Sequence, residues 1–262
     1  MLQNIYSPLS GALAQEKVLD IIANNLANMN TVGFKEERVT FKLLESEPEK
    51  HYKDPIPPAN YKIDLEEIFP LKGNELNYVG VSGVTRDETQ GSPIHTKNKL
   101  DAMIEGPGYF SIQTKEGQRF TRNGSFELSG EGLLIDWQGN PVLGQRGDIY
   151  LKGQKVEINN LGEIYENGKY IDQLLIQNST NTKSFEKIGD SQYAYTGNRK
   201  ELDTVNSPTV KQGFLESSNV NAIKNMTNMI LAHRSYEAYQ KAIKNMDAMM
   251  EKSSNVLGRL AG

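Results

Sequence analysis

The sequence predicts an α+β protein, with a helix at each end forming a coiled-coil-like stalk and a central antiparallel β-rich region of barrel or sandwich type. Two observations carry this prediction. Toward the C-terminus Met229, Tyr236, Ile243, Met250 and Leu257 recur every seventh residue, each followed three residues later by Ala232, Tyr239, Met246, Ser253 and Leu260. Residues spaced alternately three and four apart return to one side of an α-helix, the a/d pattern of a coiled-coil seam. In the middle of the chain, from Lys99 to Val142, short apolar runs alternate with Gly, Asn and Pro turn signals, the rhythm of an antiparallel sheet or barrel.

Composition narrows the function classes. The 262 residues carry a formal charge of −4 with both signs interspersed, so no basic face announces nucleic acid. The absence of cysteine removes disulfides, thiolate nucleophiles and Cys-ligated zinc. No run of about 18 apolar residues exists to insert into a membrane. The opening MLQNIYSPLSGALAQE lacks the basic flank and apolar core of a cleavable signal, which by itself predicts a cytoplasmic protein.

At the N-terminal end Leu2, Ile5, Leu9, Ala12, Glu16, Leu19, Ala23 and Leu26 repeat the alternating spacing, with Glu16 the single polar intrusion. Ser7 reads as an N-cap with Pro8 at the first helical position, predicting a helix over residues 8–29 and a looser extension over 2–6. Gly33 is expected to close it in a left-handed conformation. Two readings of the paired terminal patterns are open: amphipathic helices packed on the protein's own core, or helices whose seams need partners from other chains. The run Asn24, Asn25, Asn28 and Asn30 favours the second, because amides on a poor helix former expect neighbours to satisfy them.

Residues 35–60 are charged and proline-bearing and read as a connector with a short strand near Val39–Leu44; residues 61–95 read as irregular or extended. Strands are expected at Ala102–Ile104, Tyr109–Ile112, Arg119–Thr121 and Ser125–Leu128. Turns are expected at Gly106–Gly108, Glu116-Gly117 and Asn123-Gly124. Further strands are expected at Ile149–Leu151, Val156–Ile158, Glu163–Glu166 and Gln173–Gln177, with a turn at Asn167-Gly168. The polar stretch 179–212 reads as a return connector, and Ser218-Asn219 as the cap of the C-terminal helix. Four regions follow: 1–34, 35–95, 96–212 and 213–262.

Catalytic chemistry finds no foothold in these residues. His51, His95 and His233 are far apart and fit no metal-binding spacing, and no GxSxG elbow surrounds a serine. Gly106–Gly108 lacks the GK[ST] ending of a phosphate cradle and precedes a strand. Glu36-Glu37 and Glu66-Glu67 are sequence neighbours whose side chains diverge, which makes neither a ready acid/base pair. No enzyme, cofactor or metal is expected.

Three segments together carry a resemblance. They are Asp20–Asn28 with Thr31 and Gly33-Phe34-Lys35; KLDAMIEGPGYFSI with FTRNGSFELSGEGLLIDWQGNPVLG; and GFLESSNVNAIKNMTNMILAHRSYE, residues 213–237. In this order they resemble the bacterial flagellar hook–basal-body rod family. The resemblance implies a structural subunit of an axial tube, its terminal helices packing against those of other subunits and its β-rich region facing outward. Gly139–Gly144 and Ile5-Tyr6 point to the proximal part of the rod; chain length and Ser218-Asn219-Val220 fit the distal rod as well, and a hook-type axial protein, against which the compact length argues, and a β-scaffold cell-wall enzyme stand further behind. The implied partners are copies of itself, other rod and hook proteins, the flagellar type III export apparatus and ring proteins, with no nucleic acid and no membrane insertion. The implied location is the periplasmic rod, reached without a cleavable signal. The residues expected at the assembly interface are Leu9, Leu19, Ala23, Asn24, Asn25, Leu26, Asn28, Met229, Tyr236, Tyr239, Ile243, Met246, Met250 and Leu257.

Overall fold

Two long helices bracket a series of short strands. The computed structural model describes the chain outside residues 1–2, 45–77, 154, 182–183, 190, 206 and 261–262. In chain order come α1 (Gln3–Ala27), β1 (Glu37–Leu44), β2 (Tyr78–Arg86), β3 (Pro93–His95), β4 (Ala102–Glu105), β5 (Tyr109–Thr114), β6 (Gly117–Thr121), β7 (Phe126–Leu128) and β8 (Leu134–Asp136). Then follow β9 (Leu143–Gly144), β10 (Gly147–Asp148), β11 (Val156–Ile158), β12 (Glu163–Glu166), β13 (Lys169–Gln173), β14 (Ile176–Ser179), β15 (Phe185–Gly189) and β16 (Gln192–Tyr195). The chain ends with β17 (Leu202–Thr204), β18 (Thr209–Gln212), β19 (Phe214–Glu216) and α2 (Ala222–Leu260).

The contacts divide into two units. One comprises residues 1–23, 38–85 and 224–262, and so holds most of α1 and α2 together with the β1–β2 ribbon; the other comprises residues 24–37 and 86–223. The second unit is built on a six-stranded antiparallel sheet in the order β15-β16-β6-β5-β14-β17, accompanied by the smaller sheets β4-β18, β3-β19, β7-β8, β9-β10 and β11-β12-β13. Alternation along β5 sends successive side chains to opposite faces. Phe110 and Ile112 join Ala102, Ile104, Phe126, Leu134, Val142, Ile164, Ile176 and Val210 in the main core. Tyr109 goes the other way, into an aromatic cluster with Phe120, Phe185 and Tyr193. Phe110 and Phe126 meet edge to face at 5.1 Å, and the Tyr109 and Phe185 rings lie tilted at 4.6 Å, both within the favourable aromatic range.

The expected strands β1, β4 to β7, β11 and β12 are present, and Asn167-Gly168 turns the β12–β13 hairpin with φ of 52° and 77°, the paired left-handed geometry such a turn needs. Several other expectations are corrected. Asn123-Gly124 does not turn a hairpin: β6 pairs with β5 and β16, whereas β7 pairs with β8. The Gly124 carbonyl instead accepts the Ala102 amide at 3.0 Å, so the dipeptide serves a crossing of two segments. Ile149–Leu151 is no strand; only Tyr150 bridges Leu133. Gln173–Gln177 is split, β13 ending at Gln173 and β14 starting at Ile176.

The 179–212 stretch, expected as a connector, carries β15 to β18. Its strands bury few apolar side chains, chiefly Phe185, Tyr193 and Val210, so the segment reads as polar although its backbone pairs. Residues 78–95, expected to be irregular or extended, hold β2 and β3, while residues 45–60 of the expected connector 35–60 lie outside the described residues. The terminal helices also start and stop elsewhere than expected. Helix α1 runs through Ser7-Pro8 from Gln3 and stops at Ala27, well before Gly33, and α2 begins at Ala222.

Candidate assembly surface

Exposure along α2 follows the heptad. Asn225 and Ala232 are buried, and Met229, Tyr236, Tyr239, Ile243, Met246 and Met250 are half-buried, whereas the residues between them are mostly exposed. Steps of four and three residues connect this series, so the covered line winds with the seam that periodicity predicts. The Leu257 side chain lies outside the described residues.

On α1 the covered line is rotated from the expected one. Pro8, Gly11, Ala12, Ala14 and Ile22 are buried and Gln15, Val18, Leu19 and Leu26 half-buried, but Leu9 is 39% exposed and Glu16 and Ala23 face solvent. Of the predicted seam, Ala12, Leu19 and Leu26 are on the covered side; Leu9 and Ala23 are not. The reason is steric and electrostatic together. Small residues at Gly11 and Ala12 let a partner approach closely, and this turn of the helix leaves the Glu16 carboxylate hydrated, where the expected seam would have buried it. Gly11 lies directly under the Tyr239 ring, with an added Cβ placed 2.6 Å from the Cε1 and Cζ atoms.

The asparagine run is also partly spent inside the chain. Asn25 is buried, its Nδ2 donating to the Glu37 carbonyl at 2.8 Å and its Oδ1 accepting the Glu37 amide at 2.9 Å. Asn28 donates to the Asn24 carbonyl at 2.9 Å and accepts from the Thr31 hydroxyl at 3.2 Å. Asn24 is exposed, and its Oδ1 accepts from Lys187 at 3.4 Å. The expectation that these amides need other chains therefore gives way for Asn25, whose side chain closes the turn into β1.

Residues outside the expected interface set organise the chain beyond the run. Gly33 has φ 69° and sits where a Cβ would stand 2.6 Å from the Arg122 carbonyl carbon. Its amide donates to the Glu216 carbonyl at 2.8 Å. Phe34 is buried, with the Lys187 ammonium 4.2 Å from its ring centre. Next to it Lys35 and Glu216, each 1% exposed, form an ion pair at 2.5 Å, and Arg122 reaches the other Glu216 oxygen at 3.4 Å. Burial pulls the Lys35 ammonium below its ordinary pKa, and the Glu216 carboxylate opposes that shift. Asn219, expected as a helix cap, accepts the Glu36 amide at 2.7 Å and donates to the Asp87 carbonyl at 2.8 Å. The signal for this cluster was present in two quoted motifs, Gly33-Phe34-Lys35 and Gly213-Phe214-Leu215-Glu216, but nothing in their spacing says that the lysine of one meets the glutamate of the other.

The described histidines lie apart and make packing and surface contacts. His95 stacks on Phe214 at 4.7 Å and His233 lies 3.4 Å from Glu237 on exposed helix surface. His51 lies outside the described residues, and among those described no cluster of His, Asp and Glu could hold a metal ion.

Comparison with known proteins finds three family models along the chain. Flagella basal body rod protein matches residues 5–35, the flagellar hook protein FlgE/F/G D1 domain matches 103–166, and the flagellar basal body rod FlgEFG protein C-terminal region matches 211–256. The chain is 30% identical over 259 residues to flagellar basal-body rod protein FlgF of Caulobacter vibrioides, covering 98% of each. It is 31% identical over 271 residues to flagellar basal-body rod protein FlgG of Bacillus subtilis, covering 98% of this chain and 99% of that one. With FlgG of Agrobacterium fabrum it shares 33% over 252 residues, 92% and 94% of the two chains. The covered helical stripes, the β-rich middle and near end-to-end similarity agree: the chain belongs to the flagellar basal-body rod protein family.

Proposed function

We propose that this structural subunit of the flagellar rod polymerises through its terminal helices, with copies of itself and with other rod and hook proteins, into the axial drive shaft, and that its place is the proximal rod. One observation carries the reading. In the unit that holds most of both helices, the buried apolar side chains among the described residues are Ala12, Ala14, Ile22 and Ala232, mostly small. The same unit exposes Leu9, Leu13, Phe41, Met226, Ile230, Leu231 and Met249, the last by 71%. Burial contributes about 25 cal/mol per Å² of apolar surface, so a unit with little core and much exposed apolar surface is stabilised by neighbours that cover it.

The interface residues divide into two tiers on this reading. Leu19, Leu26, Met229, Tyr236, Tyr239, Ile243, Met246, Met250 and Leu257 form a coiled-coil-like stalk. Leu9, Ala23, Asn24 and Asn28, together with the exposed residues just named, face adjoining subunits, and Asn25 holds the turn that orients α1. Alone in dilute solution the stalk is loosely held, and assembly orders it. The segments 1–34 and 213–262 serve assembly, 35–95 connects, and 96–212 is a sandwich-like outer region that meets ring proteins. The chain performs no catalysis and needs no cofactor. It leaves the cytoplasm through the flagellar type III export apparatus and resides in the periplasmic rod.

Electron microscopy of basal bodies from a strain lacking the protein tests its place. Assembly that halts within the proximal rod is the expected result. A complete proximal rod with the next segment missing would support the distal alternative, which the Ser218-Asn219-Val220 helix entry fits as well.

A further inference from the structure

We infer that Glu216 is the keystone of a latch that joins the segment following α1 to the segment preceding α2, so that these two segments dock or release together. Its side chain gathers parts of the chain far apart in sequence: Oε1 accepts from Lys35 Nζ and from the Gly91 amide at 3.1 Å, and Oε2 faces Arg122 Nη1. Its backbone carbonyl accepts the Gly33 amide at 2.8 Å. Two further bonds extend the seam, from the Asn219 amide to the Phe34 carbonyl at 3.4 Å and from the Glu36 amide to Asn219 Oδ1 at 2.7 Å. Residues 33–36 and 216–219 therefore run side by side, with the buried ion pair at one end and the Asn219 amide at the other.

The second cation makes the arrangement asymmetric. Arg122 also donates to the Gly106 carbonyl at 2.8 Å, and Lys35 to the Thr89 carbonyl at 2.9 Å, which fix both cations around the one carboxylate. Removing Lys35 leaves Glu216 paired with Arg122. Removing the Glu216 charge leaves two buried cations without their anion, the more damaging case. If the N-terminal segment lifts away, Glu216 and Asn219 lose partners in the same step, and the C-terminal segment loosens with it.

Hydrogen exchange followed by mass spectrometry on the full chain tests the latch, using Lys35→Met and Glu216→Gln, with Lys211→Met, which breaks the exposed Lys211–Glu105 pair, as control. In Lys35→Met the amides of residues 33–36 and those of 217–219, the lost ammonium having bonded instead to the Thr89 carbonyl and Glu216, are expected to exchange together, each at least ~10-fold faster; in Glu216→Gln the increase is ~100-fold or more. The control leaves both segments unchanged. Faster exchange confined to residues 33–36 in Lys35→Met, or no change in either segment, overturns the proposal. Should Glu216→Gln fail to fold, Lys35→Met alone decides.

Discussion

Gly11 and Tyr239 lie in direct contact, so close that a Cβ on Gly11 would stand 2.6 Å from two atoms of the ring. A side chain there must displace the ring or push α1 away from α2. Gly11→Leu is expected to destabilise the helical unit by about 1–3 kcal/mol, the usual cost of overpacking. Tyr239→Ala in the same chain should recover part of the loss. Far-UV circular dichroism during urea unfolding measures both, and an unchanged midpoint for Gly11→Leu would show that the two helices do not rely on this contact.

Gly33 and Gly168 share left-handed backbone, φ 69° and 77°, but only Gly33 is crowded: a Cβ there meets the Arg122 backbone, whereas Gly168 faces open space. Gly168→Ala is expected to cost only the conformational penalty of about 1–2 kcal/mol. Gly33→Ala should cost at least ~1 kcal/mol more, because backbone cannot swing aside as a side chain can. Equilibrium urea unfolding of the two variants reads the difference; equal losses would contradict the close approach.

Two tyrosines tie stability to alkaline pH. Burial pushes the Tyr193 phenol up to about 12, with the Arg86 guanidinium, 4.5 Å from its ring centre, opposing and Glu88 reinforcing. Burial and then Glu88, whose carboxylate accepts the Tyr109 hydroxyl at 3.0 Å, raise Tyr109 as well. The unfolded chain releases these protons near pH 10, while the folded chain holds them. Stability is therefore intact below about pH 10 and falls as pH rises toward about 12. Spectrophotometric titration should show two of the 12 tyrosines ionising only with loss of the fold. Full ionisation by pH ~11 with the circular dichroism unchanged would contradict the burial.

What was legible in the sequence follows from where the physics is local. The α2 seam was readable because heptad spacing fixes which side of a helix residues share, and the covered residues Met229, Tyr236, Tyr239, Ile243, Met246 and Met250 follow it. Strands β4 to β7 were readable because alternation and turn residues lie within a few positions of each other. The α1 seam was misjudged by a rotation, since Leu9 and Ala23 fit the spacing but Gly11 is what permits the approach of Tyr239. Strands β15 to β18 were missed because pairing in a sheet needs few apolar side chains. The Lys35–Glu216–Arg122 cluster joins residues separated by up to 181 positions, a relation that only the folded chain expresses.

On the proposed assembly, exposed apolar residues of the terminal helices are contact surfaces for other subunits. Electron microscopy of basal bodies from cells whose only copy carries Met226→Asp and Ile230→Asp tests it most directly, with circular dichroism of the purified variant confirming its fold. A folded subunit and basal bodies whose rods stop short are the expected result. Complete rods of normal length built from that variant would contradict it.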